Sequence, residues 1–550
     1  MRPAVLGPGA DTPAEICLEP AAAGVSTAFP DATNAALEIL RAGGNAVDAA
    51  VAAAWALSVC EPAASGLGGQ TSLLSYQADG TVRVIDGHSF GPAAASLATV
   101  TSRQQRVGHR ACVIPSTPAT LEYARQRYGV LTARQVLAPA IRIAETGYAV
   151  TPLLRRQIGW VLGHLQASDA TEQFLTNGQA PPVGYLLRQP RLARTLRRLG
   201  DHGAEDFYRG EISRAILEDM AAHGGLITRE DLETCRLPVE REPLRTSYRD
   251  LEVVTVPPPG GGLQLLVALE LLERFLPAGG PRTVEGWYDA IARATYASFR
   301  EREQSPLRPE DFTLTVRNLC LSDDLLASLA AIYAKGVPAG LAPPVREDPG
   351  DTTHLTVSDR AGNVVALTQS IQSVFGAKVA NPELGFVYNN YLATCPRSLH
   401  PYGLSSRCLP RSNAAPALVL RGTPGARRPL LALGAAGSRR IISSILQVIS
   451  SVVDRGLLVD EAVAAPRVHA LLGGEVWLEE PAASPGQIAL LESHFRKVKR
   501  RPSLSYRLGS VQALQWLPDG TLLSAADPRR DGSGTVVNRE PSTEEKREWT

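Results

Sequence analysis

The sequence predicts an α+β protein, with helices concentrated in its first half and hairpins in its second. Three observations carry this expectation. Residues 117–235 contain segments of helical spacing with polar faces, among them 131–145 and 212–223. The second half holds short alternating runs joined by turn residues: 352–357 and 364–368 about the turn 359–363, and 511–517 and 521–524 about Pro518-Asp519-Gly520. One further hairpin, 71–76 and 81–86 about Asp79-Gly80, lies near the start of the chain. With 550 residues the core can be large, and the length is compatible with one co-folded unit.

In chain order, residues 1–23 read as an N-terminal extension. Asp31 is expected to cap a helix whose apolar positions Ala35, Ala36, Ile39 and Leu40 follow helical spacing, with Gly43-Gly44 ending it. Asn45 then caps a second helix running through Val59. Its apolar run, 49–60, is too short to span a membrane and reads as a buried helix. The segment 65–70, SGLGGQ, matches no phosphate-loop pattern and reads as tight-turn packing. The first hairpin delivers Asp86-Gly87-His88 to a strand end. A strand at 251–256 leads into PPPGGG and a Leu-rich helix ending at Phe275. Residues 331–351 mix Pro, Gly and charge, and read as an exposed connector that would tolerate a cut. Strands are expected at 386–388, 417–420 and 429–433, the last running into a Gly-rich turn, 434–438, that opens a helix through Val453. Residues 538–550 form a polar tail.

The formal net charge is +1 and no long Lys/Arg run occurs, which speaks against nucleic acid or an anionic membrane surface as partner. Of the 56 basic residues 51 are Arg, a compositional bias with no chemical implication. Seven cysteines at wide spacings, with no CxxC pair, read as reduced thiols, and no metal or other cofactor is expected. No basic segment followed by an apolar one opens the chain, so the expected location is cytoplasmic.

The chemistry centres on Gly350-Asp351-Thr352-Thr353-His354. If the bond before Thr352 is cut, its α-amino group, of reference pKa about 7.7–8.0, lies beside its own hydroxyl and can take its proton. One residue then supplies nucleophile and base. A hairpin pairing symmetrically about Ala361 would set Ser370 opposite Thr352, as a second hydroxyl able to bond the first.

Thr352-Thr353-His354 followed by Asp359-Arg360-Ala361-Gly362-Asn363 resembles the start of the small subunit in the γ-glutamyltransferase (γ-glutamyltranspeptidase) family of N-terminal-nucleophile hydrolases. Family-like segments run in order from about Gly24 to about Arg529, including 43–57, 65–69, 139–148, 205–212, 223–232, 256–262 and 438–448. The resemblance implies a four-layer αββα sandwich built by two subunits of one precursor, a large one of 24–351 and a small one of 352–537 that pair as a heterodimer. It also implies catalytic roles for Thr352 and Ser370, with the amides of Gly437 and Ser438 as an oxyanion hole. The family's amino-acid clamp is altered, however. His88 stands in place of its Arg, Gln372 in place of its Asn, and Tyr391 and Thr394 in place of its Gln/Glu and Asp. Its Ser-Ser pair is Ser412-Asn413. Without a fixed cation and its opposing carboxylate, a γ-glutamyl donor loses both ends of its recognition. The expected enzyme is a self-cleaving hydrolase or acyltransferase acting on a small acyl or peptide-like substrate. Candidates are a cephalosporin-type side chain and a C–C bond beside a 2-oxo acid, as thought for γ-glutamyltransferase-like proteins of alkylproline antibiotic pathways. The alternatives are a conventional glutathione hydrolase and an uncleaved, non-catalytic binding protein.

Overall fold

The computed structural model describes residues 22–234, 238–277, 283–312, 321–337, 350–423 and 425–538. Its first sheet uses β1 (Ala22–Thr27), β2 (Gln70–Tyr76), β3 (Val82–Asp86) and β4 (Val239–Arg241) from the first half of the chain. Its second sheet begins with β5 (Leu244–Tyr248) and β6 (Leu251–Thr255). The paired strands β7 (Gly350–Ser358) and β8 (Val364–Ser373) enter the first sheet. Next, β9 (Ala417–Arg421), β10 (Arg428–Ala436), β11 (Ser510–Trp516) and β12 (Leu522–Ala526) complete the second, and β13 (Ser533–Asn538) closes the first. The orders are β13-β1-β7-β8-β2-β3-β4 and β12-β11-β10-β9-β6-β5.

Side-chain alternation turns these two sheets into four layers. Leu355, Val357, Val365 and Leu367 pack outward with the helices α1 (Pro30–Arg41) and α2 (Ala46–Cys60). On the second sheet, Leu431 and Leu433 pack outward against α3 (Gly262–Phe275), α4 (Val284–Gln304) and α5 (Arg440–Arg455). Between the sheets, Leu74, Tyr76, Val84 and Val364 of one meet Val254, Leu418, Leu420 and Ala432 of the other. The expected αββα arrangement is therefore present.

The second helix has the expected cap: the Asn45 side chain accepts from the amides of Val47 and Asp48, and Asp48 completes the capping box. The first helix differs. Pro30 occupies its first turn and Phe29 the cap position, so Asp31 lies inside the helix and makes no cap bond. Residues 386–388 do not form a strand; Val387 and Tyr388 make only isolated bridges, to Ala380 and Gly68.

The largest departure concerns the expected connector. A helix, Asp323–Lys335, occupies its start, with Leu326, Leu329 and Tyr333 buried at helical spacing. Its end, Gly350-Asp351, is buried and already paired within β7. Residues 338–349 of the connector lie outside the described residues. The bond before Thr352 thus sits inside a strand, not in an exposed loop.

Candidate active site

The β7–β8 ladder keeps one register from Ser358/Val364 to Thr353/Gln369, then shifts, so that Asp351 pairs with Gln372. This bulge falls opposite Thr352, and Gln372 takes the left-handed φ of +83°. Alternation sets Thr352, His354 and Thr356 on the face toward the second sheet. There His354 lies against Gly434, where a side chain would collide with its ring. Burial alone lowers the His354 pKa to about 3, so the ring is neutral, bonded to the hydroxyls of Thr356 and Thr368. It is a strut between the sheets.

At the bulge the hydroxyls of Thr352 and Ser370 lie 3.0 Å apart. Both donate to the carbonyl oxygen of Asp351, at 2.7 and 2.8 Å. Ser370 in turn accepts from the Gln372 amide at 2.9 Å. The carbonyl at the head of the Asp351–Thr352 bond is thus polarised by two hydroxyls, one of them on the adjoining residue.

The Asp351 carboxylate is held from every side. One oxygen accepts from the Thr352 amide at 2.9 Å and pairs with Arg530 at 2.6 Å. The other accepts from Gln157 at 2.6 Å and from the Tyr506 hydroxyl at 2.8 Å. Arg530 also donates to the Thr352 carbonyl at 2.9 Å and lies 3.6 Å from Glu61. Burial works against the Arg530 charge, but Asp351, Tyr506 and Glu61 outweigh it and hold the guanidinium protonated. Burial, with Asp351 adding to it, pushes the Glu61 carboxyl up to about 8 although Arg530 opposes the shift. None of Gln157, Tyr506, Arg530 or Glu61 carries a sequence signal for this role, and Arg530 is 178 residues from its partner.

These groups border a cleft lined by Gln70, Ser72, His88, Thr352, Ser370, Gln372, Tyr391, Ser412, Asn413 and Ser438. It holds about 20 Å³, room for one water molecule. Part of the reason is Gly350: a side chain there would strike Ser438. Among the described residues lining the cleft none is Asp, Glu, Lys or Arg.

Eight of the ten residues singled out in the sequence line this cleft. Gly437 adjoins it where β10 ends, and the chain reverses through φ values of +123° at Gly437 and +57° at Ser438 before α5 begins. Thr394 does not line it; its hydroxyl bonds the Tyr391 carbonyl within a short turn. His88 is buried with Nδ1 2.6 Å from Asp86, which also pairs with Arg241. Burial would raise the Asp86 pKa, but His88 and Arg241 together hold it well below the carboxylate range. The His88 ring therefore faces a carboxylate that offsets any charge it carries. Burial pushes the Tyr391 phenol up to about 12, against a small opposing effect of the Ser370 hydroxyl. Ser412 and Asn413 are fixed by Arg302, which donates to the Asn413 side chain and the Ser412 carbonyl, both at 2.6 Å. Gln70 and Ser72 carry no signal in the sequence for this site. The Gln70 carboxamide and Ser72 hydroxyl are buried at the cleft without a hydrogen-bond partner.

Residues 32–537 match the family described as Gamma-glutamyltranspeptidase. The chain is 35% identical to the acylase ACY 1 proenzyme of Pseudomonas sp. (strain V22), over 94% of this chain and 93% of that protein. It is 30% identical to the glutathione hydrolase proenzyme of Escherichia coli (strain K12), over 92% of this chain and 90% of that protein. Among solved structures, a cephalosporin acylase from Bacillus halodurans superposes with a TM-score of 0.83 at 27% identity, covering 94% of this chain and 95% of that one. A cleft assembled around a threonine and a serine hydroxyl, a four-layer sandwich and end-to-end matches to acylases and glutathione hydrolases agree: this chain is an enzyme of the γ-glutamyltranspeptidase family, within the N-terminal-nucleophile hydrolases.

Proposed function

We propose that this protein is a self-processing acylase whose substrate carries an acyl group other than γ-glutamyl. The observation that carries the reading is the Asp351 carbonyl bonded by both the Thr352 and Ser370 hydroxyls. In processing, the Thr352 Oγ attacks the Asp351 carbonyl carbon while Ser370 stabilises the developing oxyanion. The C–N bond breaks, the nitrogen takes the hydroxyl proton, and an ester links Asp351 to Thr352 Oγ. Water hydrolyses that ester, leaving a carboxylate on Asp351 and a free α-amine on Thr352.

Turnover then reuses the same atoms. The Thr352 amine accepts the proton from its own hydroxyl as Oγ attacks the substrate carbonyl, and the Gly437 and Ser438 amides receive the oxyanion. The proton passes to the leaving amine, and water resolves the acyl ester. Departure of the 350–351 segment from Ser438 opens the volume an acyl group needs.

The substrate class follows from a cleft without charged lining residues. A γ-glutamyl group would bury an ammonium with no carboxylate to meet it, and a carboxylate with no fixed cation. An acyl chain with a neutral polar group instead suits the unpartnered Gln70 and Ser72. Similarity to the acylase ACY 1 proenzyme and to the cephalosporin acylase fold supports the same class. The test compares kcat/KM for γ-glutamyl-p-nitroanilide with glutaryl- and hexanoyl-p-nitroanilide, the glutaryl compound lacking only the ammonium. Preference for hexanoyl by about tenfold or more supports the proposal, a glutaryl preference contradicts the neutral acyl class, and a γ-glutamyl preference contradicts the proposal as a whole. Failure of all three amides together with turnover of a 2-oxo acid bearing a cleavable C–C bond would place the enzyme in an alkylproline-type pathway.

A further inference from the structure

A second cavity, of about 640 Å³, shares no lining residue with the catalytic cleft; its wall includes Gly108, His109, Arg110, Ser168, His223 and Val379. Against it His109, Asp219 and His223 bring one ligand-type atom each to within 4.8 Å of one another. Among the described residues this is the single grouping of its kind. His109 Nε2 lies 3.3 Å from one Asp219 oxygen, and His223 Nδ1 lies 3.0 Å from the other. Neither contact is aligned as a hydrogen bond: His223 Nδ1 instead lies 3.0 Å from the Asp219 main-chain carbonyl, and His109 Nε2 is buried without a hydrogen bond. The Asp219 carboxylate has 2% of its side chain exposed, and the buried Tyr388 hydroxyl is its polar neighbour on the far side.

We infer that His109, Asp219 and His223 form a binding site for one divalent transition-metal ion of the Zn2+ class, with its remaining coordination position open to the second cavity. In a tetrahedral site with bonds of about 2.0–2.1 Å, ligand atoms sit roughly 3.3–3.4 Å apart; each histidine nitrogen lies 3.3 or 3.0 Å from an Asp219 oxygen, and one atom from each residue falls within 4.8 Å of the others. Two imidazoles and one carboxylate suit Zn2+ and its neighbours, not Ca2+ or Mg2+, which take all-oxygen shells. Behind the carboxylate stands the buried Tyr388, whose hydroxyl accepts from Asn381 and feels the Asp219 charge. The nearby Arg110 is committed to the carbonyls of Gly224 and Thr99. One adjustment is needed. The two imidazoles stack with centroids 4.5 Å apart and planes 7° from parallel, so no ion lies in both ring planes. His223 can turn, because it caps the helix Glu211–Ala222 and half its side chain is exposed.

The test uses the full-length protein, stripped with a chelator and titrated with Zn2+ by calorimetry, with metal content measured after dialysis. The parent is expected to bind one Zn2+ per chain and to gain thermal stability with it. His223→Ala, an exposed change that leaves the fold intact, should weaken binding by tenfold or more and abolish the thermal gain. His223→Asp, which restores a ligand atom, should recover part of it. Co2+ should give a visible d–d spectrum in the parent that His223→Ala loses. Absence of saturable one-to-one binding, or affinity unchanged in His223→Ala, overturns the assignment.

Discussion

The two walls of the catalytic cleft are held in different ways. On one, Gln70, Ser72, Thr352 and Ser370 come from neighbouring strands of a single sheet, placed by a continuous ladder with one bulge. On the other, Ser412 and Asn413 lie outside any strand and are pinned by Arg302, 110 and 111 residues away. On the function proposed above, the first wall carries the reacting hydroxyls with the polar groups of Gln70 and Ser72 beside them, and the second bounds the acyl group from the other side. A ladder fixes atoms through backbone register, so its hydroxyls persist as long as the strands pair. The 412–414 loop, held by Arg302 and by main-chain bonds to Pro259 and Gly261, lies outside the sheet, so its side chains can change without disturbing the ladder.

The sharpest way to break the ladder wall is to remove the cation that anchors it. Arg530→Met leaves the Asp351 and Glu61 carboxyls buried without their shared partner. A loss of about 3–5 kcal/mol in unfolding free energy is expected, read by denaturant titration, together with failure of processing on a gel. Next, Ser370→Ala keeps the strand but removes one donor to the Asp351 carbonyl, and both processing and acyl turnover should slow by about 10²-fold. Recognition from the ladder wall itself is tested by Gln70→Ala. It should leave processing intact, which mass spectrometry checks, while kcat/KM for the preferred acyl amide falls about tenfold, the loss of one buried hydrogen bond.

A pH dependence is expected as well. In the uncut chain Glu61 titrates near 8, above its ordinary value of 4.5, mainly because it is buried. Between those values the folded chain retains a proton that the unfolded chain has lost. Stability present below pH 4.5 therefore declines as pH rises toward 8, by at most about 1.4 kcal/mol per pH unit. Thermal melts of a Thr352→Ala chain across that range should show the decline, and adding Glu61→Gln should flatten it.

What the sequence made legible follows the same division. The hairpin register was readable because its alternation and its Asp-x-x-Gly-Asn turn are local, and it brought Ser370 to Thr352. Asn45 was readable as a cap for the same reason. The bulge was not, because nothing in Ser370-Ile371-Gln372 marks a shift of one residue. The carboxylate cradle of Asp351 joins residues 155 to 194 positions apart, beyond any local pattern. The helix Asp323–Lys335 carries helical spacing in Leu326, Leu329 and Tyr333, but its last turn, from residue 331, merges into a Pro- and Gly-rich stretch whose composition masks the helix end. Thr394 was assigned to the cleft by its place in the chain, while the turn after Asn389-Asn390 spends its hydroxyl on the backbone.

The central claim is that Thr352 becomes a chain terminus by its own chemistry. Intact mass of freshly purified protein beside Thr352→Ala tests it most directly. The account predicts two fragments in the parent, residues 1–351 and 352–550, and a single chain of 58.6 kDa in the variant. A single 58.6 kDa chain in both would contradict it and point instead to an uncleaved binding protein that keeps the fold.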